Sequence, residues 1–311
     1  VQELTQQQLL LELEPVVERE LERHETQAKE WFPHEYVPWS EGRNYDGLFD
    51  GLAWDPEQSK VGPVARTALI VNLLTEDNLP SYHREISNTF SRDRAWGTWV
   101  DRWTAEEGRH GIALRDYLLV TRAVDPKQLE RERMQHMGGG YEQEQTEMLR
   151  SIAYVSFQEL ATRISHRNTG KYTEDPYCEQ LLARIAQDEN LHMVFYRNLL
   201  ESAFDIAPDQ TLMAVRDVVS SFQMPGYTIQ DFGRRSVQMA MAGIYDLRIH
   251  RDEVLAPVLR KWKVWDREGL SAEGEQARAG LAAELETLEE NARRFEEKRD
   301  TYRARQAARV S

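Results

Sequence analysis

Two glutamate–histidine pairs carry the chemistry of this chain, and each follows a lone glutamate by about thirty residues. Glu76 stands 31 residues before Glu107, and His110 completes the string Glu106-Glu107-Gly108-Arg109-His110. Glu159 stands 30 residues before Glu189, and His192 completes Asp188-Glu189-Asn190-Leu191-His192. Four carboxylates with two imidazoles suit iron or manganese better than structural zinc or calcium. A Glu on each of two helices, with Glu-x-x-His on each of two others, is the ligand set of a carboxylate-bridged two-metal bundle. In such a site Glu107 and Glu189 bridge, Glu76 and Glu159 are terminal, and His110 and His192 each bind one metal. Glu106 and Asp188, the acids just before each pair, are natural acceptors for the outer imidazole N–H.

These roles need helices whose ligand faces point inward. Residues three, four and seven apart share a helix face. Trp103, Glu107, His110, Leu114 and Tyr117 therefore form one stripe, and Leu182, Ile185, Glu189, His192 and Tyr196 another. Leu69, Leu73, Glu76 and His83 lie together, as do Ile152, Val155, Glu159, Thr162 and His166. Carboxylates on such stripes are costly to bury unpaired, and cations are the natural compensation. One Glu-x-x-His is an expected chance match in a Glu-rich chain with eight His. Two copies on apolar faces rise above that.

Helical signals dominate the 311 residues, and no stretch alternates like a strand. The expected fold is all-α, a ferritin-like four-helix bundle extended by further helices, in one domain over 1–311 with its core at about 64–203. Helices are expected at 6–24, 64–90, 94–122, 142–168, 176–203, 209–223, 229–243 and 250–264. The breaks fall at Asp125-Pro126, Gly138-Gly139-Gly140, Thr169-Gly170 and Ala207-Pro208. The aromatic, Pro- and Gly-rich segment from Trp31 to Pro63 is expected to pack irregularly along the body. From Ser271 to the end, nine acids and eight bases flank a face of Leu281, Leu285, Leu288, Ala292 and Phe295. That pattern reads as a charged amphipathic helix or a partly mobile arm.

A composition of 41% hydrophobic and 30% charged residues fits a soluble protein with a substantial core. No apolar run is long enough to cross a bilayer. The first fifteen residues lack the basic and apolar regions of a signal peptide, and Cys178 is the single cysteine. A cytoplasmic protein is expected. A formal net charge of −14 argues against general nucleic-acid binding. Against that background, 234–263 is unusual, with seven Lys/Arg and three acids.

The strings LLTEDNLPSYHREI around Glu76, RWTAEEGRHG around Glu107, YVSFQELATRISHRNTG around Glu159 and IAQDENLHMVFYRNL around Glu189 are long and specific. They resemble the soluble acyl-carrier-protein desaturases, the stearoyl-ACP desaturase family, and the actinobacterial members more than the plant ones. Similarity runs from about Leu13 to Phe222, with a continuation through QMPG near Met224. The resemblance implies two iron ions per subunit held by Glu76, Glu107, His110, Glu159, Glu189 and His192. It implies Thr162 in oxygen activation and proton delivery, and Asp188 and Trp31, with His110, as an electron route from the surface. It further implies a homodimer, an acyl chain carried on acyl carrier protein, a ferredoxin-type donor, and oxygen-dependent formation of a cis double bond.

Acyl carrier proteins are acidic, so docking on this acidic chain needs a local reversal of sign. The stretch 234–263 offers one, and Arg248, Arg251 and Lys261 are expected to contribute. Glu85, Asn88, Thr89 and Ser151 depart from a saturated alkyl tunnel. Either they face away from the channel or the substrate is not a standard long saturated chain. Two alternatives stay open: a hydroxylase or N-oxygenase on the same iron pair, and a ferritin-like iron-binding protein.

Overall fold

The structure, a computed structural model, describes residues 3–140 and 147–310. In chain order its helices are α1 (Gln6–Gln27), α2 (Pro63–Asp77), α3 (Leu79–Thr89), α4 (Arg94–Val120), α5 (Pro126–Gly138), α6 (Met148–Thr173) and α7 (Pro176–Ile206). α8 (Pro208–Ser221), α9 (Phe232–Ala242), α10 (Leu247–Ile249), a π-helical turn (His250–Leu255), α11 (Ala256–Lys261) and α12 (Ala272–Val310) follow. The described residues contain no β-strand, only an isolated bridge between Tyr45 and Leu52. α2, α5, α7 and α8 begin with proline, whose missing N–H costs nothing in the first turn. Asp125 and Asp175 cap α5 and α7 by accepting first-turn N–H groups.

α2, α4, α6 and α7 form the ferritin-like bundle that carries the expected ligands. α6 and α7 make its most extensive antiparallel contact, joined through Glu174 in a left-handed conformation. α6 is buried on nearly every side, so Ile152, Val155, Phe157, Leu160 and Ala161 all face packed neighbours. Gly170 lets the two helices close, since a Cβ there would stand 3.2 Å from Glu179 Cα and 3.3 Å from Leu182 Cβ. It sits inside α6 as a packing residue. The expected stop at Thr169-Gly170 is therefore corrected to Thr173.

The expected helix 64–90 is two helices. Pro80 has no N–H to donate to the carbonyl of Glu76, so the chain re-nucleates after Asn78. Glu76 thereby lies in the last turn of α2. α5 occupies 126–138, where sequence reading saw only two breaks. The expected start at 142 falls outside the described residues, and α6 is described from Met148. The expected helix 250–264 is a composite of α10, the π-helical turn and α11, ending at Lys261.

The segment 31–63 packs irregularly, as expected. Trp31, Val37 and Val61 are buried, while Leu48 and Phe49 at its tip are exposed. Arg122 pins the segment by donating to the carbonyls of Leu52 (2.6 Å) and Ala53 (3.1 Å) and to Gln58 Oε1 (2.7 Å), under the Tyr45 ring. α12 is a continuous helix that buries Ala277, Leu281 and Ala292 and lies along α8 and α10.

Candidate metal centre

The six expected ligands sit on four helices where the apolar stripes meet the bundle axis: Glu76 on α2, Glu107 and His110 on α4, Glu159 on α6, Glu189 and His192 on α7. All six are buried, none more than 5% exposed. Their donor atoms fall into two overlapping groups within 4.8 Å: Glu76, Glu107, His110 and Glu189, and Glu107, Glu159, Glu189 and His192. Glu107 and Glu189 belong to both, which is the placement of bridging carboxylates. His110 Nδ1 lies 2.8 Å from Glu107 Oε2, 3.4 Å from Glu189 Oε1 and 3.8 Å from Glu76 Oε2. His192 Nδ1 lies 2.8 Å from Glu107 Oε1, 3.4 Å from Glu159 Oε2 and 3.7 Å from Glu189 Oε2.

The donor set fits a pair of cations. Glu159 Oε2, Glu189 Oε1 and His192 Nδ1 are wholly buried and, despite these close approaches, make no well-directed hydrogen bond, an arrangement that a cation among those atoms would relieve. Burial raises Glu76 and Glu159 well above the usual carboxylate range, reinforced by the charges of Glu189 and Glu107. Burial also opposes the charged forms of His110 and His192, yet the Glu107 carboxylate holds both well above the usual imidazole range. Protons thus balance the anionic cluster in the metal-free chain, and divalent cations would replace them.

On the outer side of the cluster, His110 and His192 each turn Nε2 to a carboxylate. Asp188 Oδ2 accepts from Trp31 Nε1 (2.7 Å) and lies 3.4 Å from His110 Nε2. Arg109 and Arg184 also reach Asp188, and both stack over Trp31. Glu106 Oε2 lies 2.9 Å from His192 Nε2 and 2.9 Å from His24 Nε2, and Glu106 Oε1 accepts from Arg102 Nε at 2.5 Å. Burial opposes ionisation of Glu106, but the hydrogen bonds from His192 and His24 hold it well below the usual carboxylate range. The structure thus brings Trp31, Asp188 and His110 together, and places Glu106 against His192.

A family model described as fatty acid desaturase matches residues 5–311. The chain belongs to the fatty acid desaturase family. It is 53% identical over 301 residues to DesA1 of Mycobacterium tuberculosis, a protein named as an acyl-[acyl-carrier-protein] desaturase, covering 94% of this chain and 89% of that one. It is 32% identical over 286 residues to the chloroplastic stearoyl-[acyl-carrier-protein] 9-desaturase 5 of Oryza sativa, covering 85% of this chain and 72% of that one. A solved structure titled as the acyl-ACP desaturase DesA2 of Mycobacterium tuberculosis aligns with TM-score 0.72 at 31% identity, covering 86% of this chain and 98% of that chain.

Beside the expected ligands of this desaturase-family chain lies a narrow cleft. Val71, Met224, Phe232 and Met239 give it apolar walls, and Glu76 and Thr162 stand at its inner side. The Thr162 hydroxyl donates to the Gln158 carbonyl at 2.9 Å and accepts from Gln158 Nε2 at 3.2 Å. It faces the cleft but bonds to no ligand carboxylate. His166, on the Glu159 stripe, was given no role from sequence. Its Nε2 lies 2.9 Å from Glu76 Oε1, and its Nδ1 lies 3.3 Å from Asn72 Nδ2. Burial pushes the ring down to about 4, so it is neutral and donates to Glu76. His24 was also missed, although it lies on the same buried α1 stripe as Leu13, Val17 and Glu20.

Of the residues that departed from an alkyl tunnel, Asn88 is exposed and Glu85 half-buried. Thr89 back-bonds to the Glu85 carbonyl at 3.1 Å, and Ser151 is buried with its hydroxyl unpartnered. The basic stretch 234–263 is paired in part. Arg248 pairs with Glu289 and Glu296, Arg251 with Glu289 at 3.1 Å, Lys261 with Glu201 at 2.8 Å and Arg235 with Glu132 at 2.7 Å. Charges distant in sequence thus partner four of its seven basic residues, while Arg234, Arg260 and Lys263 stay exposed.

Proposed function

We propose that this chain is an acyl-[acyl-carrier-protein] desaturase that uses two iron ions, dioxygen and a ferredoxin-type electron donor to place a cis double bond in a carrier-bound acyl chain. The observation that carries this reading is an apolar cleft reaching Glu76 and Thr162, beside two ligand groups that share Glu107 and Glu189. When bound, the iron pair supplies the strong oxidant that removal of hydrogen from an unactivated methylene requires. The rest is the work of side chains. Glu76 and His110 would hold one ion, Glu159 and His192 the other, and Glu107 and Glu189 would be shared by the two groups. Asp188 and Glu106 keep the Nε2–H of each imidazole outward, so that each Nδ1 lone pair faces inward. The walls from Val71, Met224, Phe232 and Met239 align the alkyl chain and exclude water. Thr162 faces the same cleft and is the hydroxyl placed to pass a proton there.

Electrons enter through Trp31, Asp188 and His110. A groove beside them is lined by Lys29, Arg163, Arg167 and Arg184, which suits an acidic electron donor on a chain that is otherwise strongly negative. Assembly as a homodimer rests on the family resemblance. A cytoplasmic setting is supported by the lone, buried Cys178; among the described residues no helix is long and apolar enough to cross a membrane.

The test is anaerobic loading with ferrous ion, followed by dioxygen, reduced ferredoxin and a panel of acyl carrier proteins, read by product mass. Loss of two hydrogens from the acyl chain supports desaturation. Gain of one oxygen assigns hydroxylation, and unchanged acyl chains across the panel refute the activity.

A further inference from the structure

In both halves of the centre a carboxylate faces the outer nitrogen of the imidazole, and the residue that holds that carboxylate differs. On the His110 side, the carboxylate that holds the imidazole is itself held by an indole, Trp31. On the His192 side, the equivalent carboxylate is held by an imidazole, His24. Both come from the N-terminal part of the chain, His24 from the last turn of α1 and Trp31 seven residues on. His24 is wholly buried, its Nδ1 has no hydrogen-bond partner, and Trp99 packs edge-on against its ring at 5.0 Å. The rings of His24 and His192 lie 21° from parallel with centroids 5.8 Å apart. Glu106 Oε2 sits 2.9 Å from the Nε2 of each.

We propose that His24 is a positioning residue for the metal bound by His192: through Glu106 it fixes the tautomer and ring angle of His192, and so makes the two metal positions inequivalent. This rests on the metal-centre reading above. A carboxylate is an acceptor only, so both imidazoles must present N–H to the same oxygen. With His192 Nε2 committed in this way, its Nδ1 is left as the lone pair facing Glu107, Glu159 and Glu189. Arg102 steadies the other oxygen of Glu106. Remove the His24 donor and Glu106 is free to swing toward Arg102, which is partly exposed. His192 then loses the partner that orients it. The His110 side, held by Trp31, Arg109 and Arg184, is untouched.

Two substitutions of similar shape separate positioning from packing. His24→Gln keeps an N–H where Nε2 stands, whereas His24→Met fills the same space with no donor. Anaerobic ferrous titration of the full chain, with Mössbauer spectra of each form, reads the two positions individually. His24→Met is expected to weaken one of two ferrous equivalents by about 10–100-fold, the usual cost of losing an outer hydrogen-bond partner. One ferrous doublet should change while the other stays, and His24→Gln should restore both affinity and spectrum. Three results overturn the role: His24→Met matching wild type in both readouts, both equivalents weakening together, or a third equivalent vanishing because His24, Glu106 and His192 themselves bind a cation. Failure of His24→Met to fold while His24→Gln folds but leaves the spectrum altered also overturns it. A wild-type chain that takes up no ferrous ion would instead refute the metal centre itself.

Discussion

Replacing Glu159 with Gln should move stability in opposite directions with and without metal. The side chain is 1% exposed, among the carboxylates of Glu107 and Glu189, with Oε2 3.4 Å from His192 Nδ1. Burial and those neighbours raise its folded-state pKa well above the ordinary 4.5. A carboxyl raised on folding contributes stability at acid pH, and that contribution is lost as pH rises from the unfolded value toward the folded one. The loss has a ceiling of about 1.4 kcal/mol per pH unit above 4.5, hence at most about 4 kcal/mol at pH 7.5. Gln has the same shape and needs no proton, so Glu159→Gln should recover some of that loss in metal-free protein. Loaded protein should behave otherwise: with one anionic ligand gone, ferrous affinity should fall at least about 100-fold, or about 2.7 kcal/mol. The assay is thermal unfolding at pH 7.5 with chelator and with saturating anaerobic ferrous ion. Metal-free melting should rise or hold while the gain from ferrous ion shrinks. An equal fall in both would refute the reasoning and make Glu159 a structural ion-pair partner.

Loading the metal-free centre should release up to four protons, two from the raised imidazoles His110 and His192 and two from the raised carboxyls Glu76 and Glu159. Ferrous affinity should therefore fall as pH falls, measurable by calorimetry in buffers of different ionisation heat; release of no protons would contradict the assignment. Trp31→Phe removes the 2.7 Å bond to Asp188 and should leave iron content unchanged while slowing ferredoxin-driven turnover at least about 10-fold, roughly 1.4 kcal/mol of barrier. Single turnover after chemical reduction should be spared. Arg122→Ala strips the donors that reach Leu52, Ala53 and Gln58 and should cost about 2–4 kcal/mol, with faster proteolysis between 43 and 58 as the readout.

The convergence of the six side chains was legible because the motif repeats and because its neighbours are apolar at helical spacing. Glu106 and Asp188 stood out by adjacency to Glu107 and Glu189, but each meets the imidazole of the other motif, Glu106 with His192 across 86 positions and Asp188 with His110 across 78. His24 and His166 escaped because their partners are distant in sequence: His24 meets Glu106 across 82 positions and His166 meets Glu76 across 90. A lone histidine on an apolar stripe carries no sign of which carboxylate it will face. The basic stretch was legible only in part for the same reason, as Glu289 and Glu296 lie far down the chain yet pair with Arg248 and Arg251. Break signals also divide into two kinds. Pro80 ended a helix because its nitrogen cannot donate, whereas Gly170 served close packing within one.

Anomalous diffraction at the iron edge, from crystals loaded anaerobically with ferrous ion, addresses the central claim most directly. Two peaks per chain are expected, one among Glu76, His110, Glu107 and Glu189 and the other among Glu159, His192, Glu107 and Glu189. A single peak, a peak on the surface, or ligand tips turned away with no peak between them would contradict it.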